Sequence, residues 1–149
     1  MALAAIDVAM WDLHARRLEV PLGVAMGGEL RSVDVYGSSG FTASQSPSEA
    51  AETAAGHLAR GLRAVKPRAQ GLPSDAALLA GVRNALGESA TLMVDANERC
   101  DLPAALALLG MAKDQGALFV EEPLPASAVH GYWDLARQPT VAIAFGEHL

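Results

Sequence analysis

The sequence predicts an α/β fold built from consecutive βα units around a parallel sheet. Two observations carry that prediction. Short β-rich apolar runs alternate with Ala-rich helical stretches from residue 33 onward, and the runs start roughly 23–31 residues apart, room for one strand, one helix and two short loops. An acidic residue also closes each of the last three runs, the pattern expected where strands deliver side chains to one shared face.

The five runs are Val33–Tyr36, Ala64–Arg68, Thr91–Val94, Leu118–Glu121 and Val141–Phe145. Between them, Ser46-Pro47-Ser48-Glu49 places a Ser cap, a Pro at the first helical position and a Glu at the third, a start that satisfies free N–H groups and suits the positive helix end. Gly61 is the expected stop. Ser74 opens the next helix, which runs to about Leu86 with Gly87 behind it, and Asp101 opens one ending near Gly116. A further amphipathic helix over Leu3–Leu18 carries Ile6, Met10, Leu13 and Arg17 along one side. Pro21 and Gly27-Gly28 then break the chain, so this helix belongs to something before the βα units.

With 149 residues, of which 51% are hydrophobic, the chain can bury a core, and its length suits one domain or part of one. A formal charge of −6 without any Lys/Arg cluster gives no footprint for nucleic acid or an anionic membrane. Cys100 is the single cysteine, which rules out an intrachain disulfide and a thiolate metal site. No stretch reaches membrane-spanning length, and Met1–Arg17 lacks the pattern of a secretory leader; the expectation is a soluble, cytoplasmic protein.

The third, fourth and fifth runs end in Val94-Asp95-Ala96-Asn97, Val120-Glu121-Glu122-Pro123 and Phe145-Gly146-Glu147. In a parallel βα array the carboxyl ends of the strands share one face, so Asp95, Glu121 and Glu147 are expected to converge although successive members are 26 residues apart. Crowded carboxylates repel one another unless a cation neutralises them. Oxygen-only donors favour Mg²⁺, with Mn²⁺ compatible, over Zn²⁺. A helix cap or loop carboxylate is the alternative, preferred for any one of these acids and secondary for three at matching strand ends. On the second run, Lys66 and Arg68 lie two residues apart and so on one side of the strand, either as ion-pair partners or as a grip on a substrate anion. Glu122 is expected to support its neighbour or pair with these cations. The Gly37–Thr42 loop follows the first run on the ligand face, where its hydroxyls could meet a polyhydroxy substrate or simply form a turn. His14, His57 and His130 fall in helical or pre-helical stretches and are expected at the surface.

At this point the sequence resembles the mandelate racemase subgroup of the enolase superfamily. The resemblance rests on Ala5-Ile6-Asp7-Val8-Ala9-Met10-Trp11-Asp12-Leu13, Pro21-Leu22 to Gly27-Gly28, Ala64-Val65-Lys66-Pro67-Arg68, Met93-Val94-Asp95-Ala96-Asn97, Val120-Glu121-Glu122-Pro123-Leu124 and Gly146-Glu147-His148, in that order and spacing. It implies a (β/α)₈ barrel of which residues 31–149 supply about the first five units, with residues 1–30 as the linking helix and turn from a capping domain not contained in this sequence. The ending at Leu149, immediately after the fifth run, makes the chain look like a fragment. The resemblance further implies that Asp95, Glu121 and Glu147 bind Mg²⁺, which holds a substrate carboxylate and stabilises the enediolate formed when the α-proton leaves. Lys66 matches the lysine that contacts the substrate carboxylate, and a neighbouring cation could lower its pKa so that it substitutes as a base.

Arg68 departs from the family, which usually carries a basic lysine there; a guanidinium stays protonated, so its expected role is electrostatic. Asn97 stands where mannonate- or galactonate-dehydratase-like enzymes have a His, and Asn97 and His148 are the expected substrate contacts. Racemisation needs proton acceptors on both faces of the α-carbon, whereas dehydration can run with one base and an acid. Dehydration of a sugar acid is therefore the expected activity, with a racemase or epimerase, or a catalytically incomplete fragment, as alternatives. The expected partner is a small-molecule carboxylate, and the full-length protein is expected to be a homo-oligomer.

Overall fold

Helix starts in the computed structural model, which describes residues 2–138 and 141–147, follow the capping chemistry of the sequence with one exception. Before α3 (Pro47–Ala59), Ser46 Oγ accepts from the Glu49 N–H while Glu49 Oε2 accepts from the Ser46 N–H at 2.8 Å, the reciprocal box expected of this tetrapeptide. These bonds hold the exposed Glu49 carboxyl below its ordinary pKa. Asp101 Oδ1 accepts from the Ala104 N–H at 2.9 Å and caps α5 (Leu102–Asp114). The exception is α4 (Asp75–Leu86). Ser74 makes no side-chain cap there, and the buried Asp75 carboxylate accepts instead from the Gln70 and Leu72 N–H groups of the preceding loop.

The chain divides into two compact units, Met1–Asp34 and Val35–Leu149. The first contains α1 (Ala2–Leu18), where Arg16 Nε donates to Asp12 one turn earlier, and the single-turn α2 (Leu22–Ala25) behind Pro21. Ile6, Met10 and Leu13 on α1 are exposed. Among the described residues no helix is long and apolar enough to cross a membrane.

In the second unit β1 (Ala64–Val65) pairs in parallel with β2 (Thr91–Leu92), and β3 (Val94–Asp95) with β4 (Phe119–Glu121) and β4 with β5 (Ala142–Ala144). The run 91–95 thus bonds on both sides: Thr91–Leu92 pair with β1 and Val94–Asp95 with β4, and the Leu92 carbonyl also accepts from the Leu118 N–H ahead of β4. The expected Ala64–Arg68 strand is interrupted at Pro67, which has no N–H to donate, yet the Pro67 carbonyl still accepts from the Asp95 N–H at 2.9 Å and Arg68 bridges Asp95 beyond it. The expected first strand, Val33–Tyr36, is not formed. Val33 and Val35 are exposed, and only Gly37 reaches a neighbour, bridging Val65. β-rich composition does not make a strand without a paired and packed face.

The helices α3 to α5 and α6 (Val129–Ala136) pack on one another in sequence order. Their buried faces, Ala50 and Ala54, then Leu78, Leu79 and Val82, then Ala105, Leu108 and Leu109, close on Val65, Leu92, Val94 and Val120 of the strands. Each fully buried Leu or Val contributes roughly 1.5–3 kcal/mol. Arg83 fastens the lower ends of α4 and α5: its guanidinium donates to the carbonyls of Gln115, Gly87 and Ala90 at 2.9–3.0 Å.

Cys100 is buried in this core, and burial, helped by the negative charges of Asp75 and Asp101, pushes its thiol up to about 11. Only the thiolate is nucleophilic, so alkylation of native Cys100 by iodoacetamide at pH 8.5 should run roughly 100-fold slower than in the urea-unfolded chain and rise about tenfold per pH unit up to pH 11. Equal native and unfolded rates by mass spectrometry would contradict the packing described.

Candidate metal and carboxylate site

The carboxyl ends of β1, β3 and β4 bring charged side chains together because parallel strands start their loops on one face. Asp95 and Glu121 are register partners on adjacent strands. The Lys66 ammonium, on a side chain 8% exposed, donates to Glu121 Oε2 and stands 3.9 Å from Asp95 Oδ2. The Tyr36 ring lies over it, 5.1 Å from Nζ to the centroid.

Two carboxylates therefore share one ammonium. Desolvation raises the pKa of Asp95; Lys66 and Arg68 pull it down and Glu121 pushes it up, and the net direction is upward. For Lys66 the balance falls the other way from the sequence expectation of a lowered pKa. Burial alone would lower it, but hydrogen bonds to Glu121 and Tyr36 and the charges of Glu121 and Asp95 outweigh burial, so the group is held as an ammonium above its ordinary value. The residual negative charge and the hard oxygen donors of Asp95 and Glu121 fit a divalent cation such as Mg²⁺.

Glu147 follows β5 by three residues. It is exposed after β5, with its N–H and that of Gly146 donating to Glu122 Oε1 at 2.8 and 3.0 Å. Among the described residues no three His, Cys, Asp or Glu side chains stand close enough to hold a metal; Asp95 and Glu121 come together at the Lys66 ammonium. Glu122 is buried and braces the loop after β5 through that carboxylate. Arg68 Nη1 donates weakly to Asn97 Oδ1 at 3.5 Å, and the Asn97 N–H donates to Asp95 Oδ1 at 2.9 Å, so Asn97 links the arginine to the carboxylate. His148 lies outside the described residues.

The backbone at these strand ends is strained. Asn97 (φ 49°), Glu98 (φ 60°) and Glu122 (φ 43°) occupy the left-handed region, which Asn tolerates and Glu does not favour. Hydrogen bonds fix the strained segments: the Glu98 N–H donates to the Glu122 carbonyl at 2.7 Å, and Glu98 Oε1 accepts from the Ala126 N–H at 2.6 Å.

Sequence reasoning passed over two residues and misplaced a third. Tyr36 covers Lys66 from the end of the first β-rich run, a position that the rule used for the acids would have included. Arg99 lines a cavity beside Asp95. His57, expected at the surface, is 2% exposed; Arg60 Nη2 meets its Nδ1 at 2.7 Å, which leaves Nε2 to donate to the Ser39 carbonyl at 2.8 Å, and its ring stacks on Phe41. The spacing Ala50, Ala54, His57 follows one helix face and carries the signal. His14 and His130 are exposed as expected.

Residues 49–149 match the Enolase C-terminal domain-like family, and the chain belongs to it. The chain is 33% identical to a D-gluconate dehydratase of Thermoproteus tenax, over 99% of this chain and 32% of that protein. It is 32% identical to an L-talarate/galactarate dehydratase of Salmonella typhimurium, over 99% of this chain and 38% of that protein. Among solved structures, L-talarate dehydratase from Polaromonas sp. JS666, complexed with Mg and L-glucarate, superposes with a TM-score of 0.83 at 34% identity, over 96% of this chain and 41% of that one. Relatives of comparable identity include an epimerase and a cycloisomerase. The chain thus spans about a third to two fifths of the length of these relatives, and its βα array is part of the family's barrel-like α/β fold.

Proposed function

We propose that the protein binds Mg²⁺ through Asp95, Glu121 and Glu147 and removes the α-proton of a hydroxy-carboxylate, as in the dehydration of a sugar acid. The observation that carries this reading is the Lys66 ammonium held by both Asp95 and Glu121 at the carboxyl ends of adjacent parallel strands. The sugar-acid dehydratases among the relatives support the substrate class.

Mg²⁺, when bound, supplies positive charge against a substrate carboxylate and the negative charge its α-carbon gains on deprotonation. Lys66 donates from its ammonium to that carboxylate. Arg68 adds a second fixed positive charge and no basicity. Neither residue serves as the general base, which favours one-sided elimination over racemisation. Tyr36 shields Lys66 from water on one side.

Mg²⁺ in hundredfold excess over its Kd should stabilise the protein by about 2.7 kcal/mol, seen as a rise of several degrees in Tm. Glu121→Gln should abolish most of that rise by removing one anionic donor. An unchanged Mg²⁺-dependent shift in the variant would overturn the assignment of Glu121.

A further inference from the structure

Residues 38–45 belong to no strand or helix, yet side chains fix this loop along one stripe of α3. Gln45 makes most of the attachment. Its Oε1 accepts from the Thr42 N–H at 3.0 Å, and Nε2 donates to the Gly40 carbonyl at 2.8 Å and to Thr53 Oγ1 at 3.2 Å, which uses both amide hydrogens. Thr53 Oγ1 in turn donates to the Glu49 carbonyl at 2.9 Å. One turn further along α3, His57 Nε2 donates to the Ser39 carbonyl and the His57 ring stacks on the buried Phe41. Glu49, Thr53 and His57 are spaced by four residues and so share a helix face.

Both ends of the loop reach the charged cluster. It follows Tyr36, whose ring lies over the Lys66 ammonium, and Gly37, whose carbonyl accepts from the Lys66 N–H at 2.9 Å. Near its other end Ala43 lines a cavity of about 160 Å³ with Asp95 and Asn97. Ala43 lies between Thr42 and Gln45, so the bonds that fix Thr42 also fix how far residue 43 reaches into that cavity. A loop of small and polar residues would otherwise sample many conformations. Holding it in place beforehand lowers the ordering cost that a ligand meets. Alanine gives this wall a single methyl group, so the space left beside Asp95 depends on the side chain at position 43.

We infer that residues 38–45 form a preformed wall of the substrate site, with Gln45 the positioning residue and Ala43 the contact that limits the size of the substrate group next to Asp95. This rests on the Mg²⁺-dependent hydroxy-acid reading and adds to it a size determinant outside the charged cluster. Gln45 touches neither metal nor substrate; it acts through the Thr42 N–H, the Gly40 carbonyl and Thr53.

Amide hydrogen exchange tests the loop with no ligand present: the Thr42 N–H should exchange about tenfold faster in Gln45→Leu than in the unsubstituted protein. Calorimetry with saturating Mg²⁺ tests the wall, using the three-carbon acid glycerate and the six-carbon acids D-gluconate and galactarate as probes. Ala43→Leu should weaken at least one six-carbon acid about tenfold while moving glycerate less than about twofold. Gln45→Leu should weaken the same acid about fivefold, and adding Thr53→Val should cost little more, because both changes cut one link. The Mg²⁺-dependent melting shift should be the same in every variant. Unchanged Thr42 exchange, an Ala43→Leu loss that falls equally on small and large acids, or a Mg²⁺ shift lost in Gln45→Leu overturns the wall and leaves the metal reading standing. Binding of none of the three acids to a protein whose melting still responds to Mg²⁺ does the same. Absence of any Mg²⁺-dependent shift in the unsubstituted protein overturns the metal reading, and the wall's role towards a hydroxy acid with it.

Discussion

Lys66→Met should destabilise the metal-free protein by about 2–3 kcal/mol, and the deficit should shrink when Mg²⁺ is added. Methionine keeps most of the buried aliphatic stem, so the loss isolates the ammonium. Without it the register partners Asp95 and Glu121 face each other with only the exposed Arg68 guanidinium acting on Asp95 to offset their charge. Breaking a buried ion pair on one side typically costs about 3–5 kcal/mol; the Glu121 side chain here is 26% exposed, so water offsets part of that and the lower figure applies. A divalent cation would take over the neutralising role, which is why the deficit should depend on Mg²⁺. Urea unfolding in EDTA and in Mg²⁺ measures both numbers. A deficit below about 0.5 kcal/mol in EDTA would mean that the pair is solvated and the charge argument fails; an identical deficit in both buffers would mean that no cation shares the site. On the proposed reading, in which Lys66 grips the substrate carboxylate, catalysis should suffer more than folding: α-proton exchange should fall by about 100-fold or more.

How much of this was legible in the sequence depends on whether the determining contacts are local. Ser46 and Asp101 cap their helices as read, because a cap is decided within four residues. Asp95 and Glu121 meet because strand ends in a parallel array have no choice of face. Ser74 failed as a cap because the neighbouring Asp75 found two loop N–H groups, a choice only the folded loop at residues 70–72 offers. Val33–Tyr36 reads as a strand by composition, but pairing is a property of neighbours, and only Gly37 has one. The pKa of Lys66 was misjudged for a related reason: sequence proximity emphasised Arg68, while the nearer charges, Glu121 and Asp95, come from other strands. Glu147 reads as a third strand-end acid, but the backbone bonds of its loop to Glu122, a residue of another strand end, are not legible in the sequence.

The same dependence on distant contacts makes Gly37→Ala a severe substitution at a position where φ is unexceptional. A Cβ there would lie 2.3 Å from Cγ and Nδ1 of His57, well inside van der Waals contact. Neither side can move cheaply. The Gly37 N–H donates to the Ala64 carbonyl and its carbonyl accepts from the Lys66 N–H, both at 2.9 Å, while the His57 ring is held at both nitrogens and stacked on Phe41. Overpacking of this kind costs about 1–3 kcal/mol, and displacing the ring would add about 1 kcal/mol for each hydrogen bond lost, so about 3 kcal/mol is expected. His57→Ala should also destabilise, by cavity formation, but it makes room for the new methyl group. The double variant should therefore be more stable than the sum of the two losses by about 2 kcal/mol, a coupling that urea unfolding of all four proteins measures directly. Additive losses would show that Gly37 and His57 do not touch. Because Gly37 is bonded to the Lys66 backbone and follows Tyr36, which covers the Lys66 ammonium, Gly37→Ala should also weaken the Mg²⁺-dependent melting shift, and adding His57→Ala should restore part of it. A buried helix residue would then be acting on the charged cluster through one glycine that has no room for a methyl group.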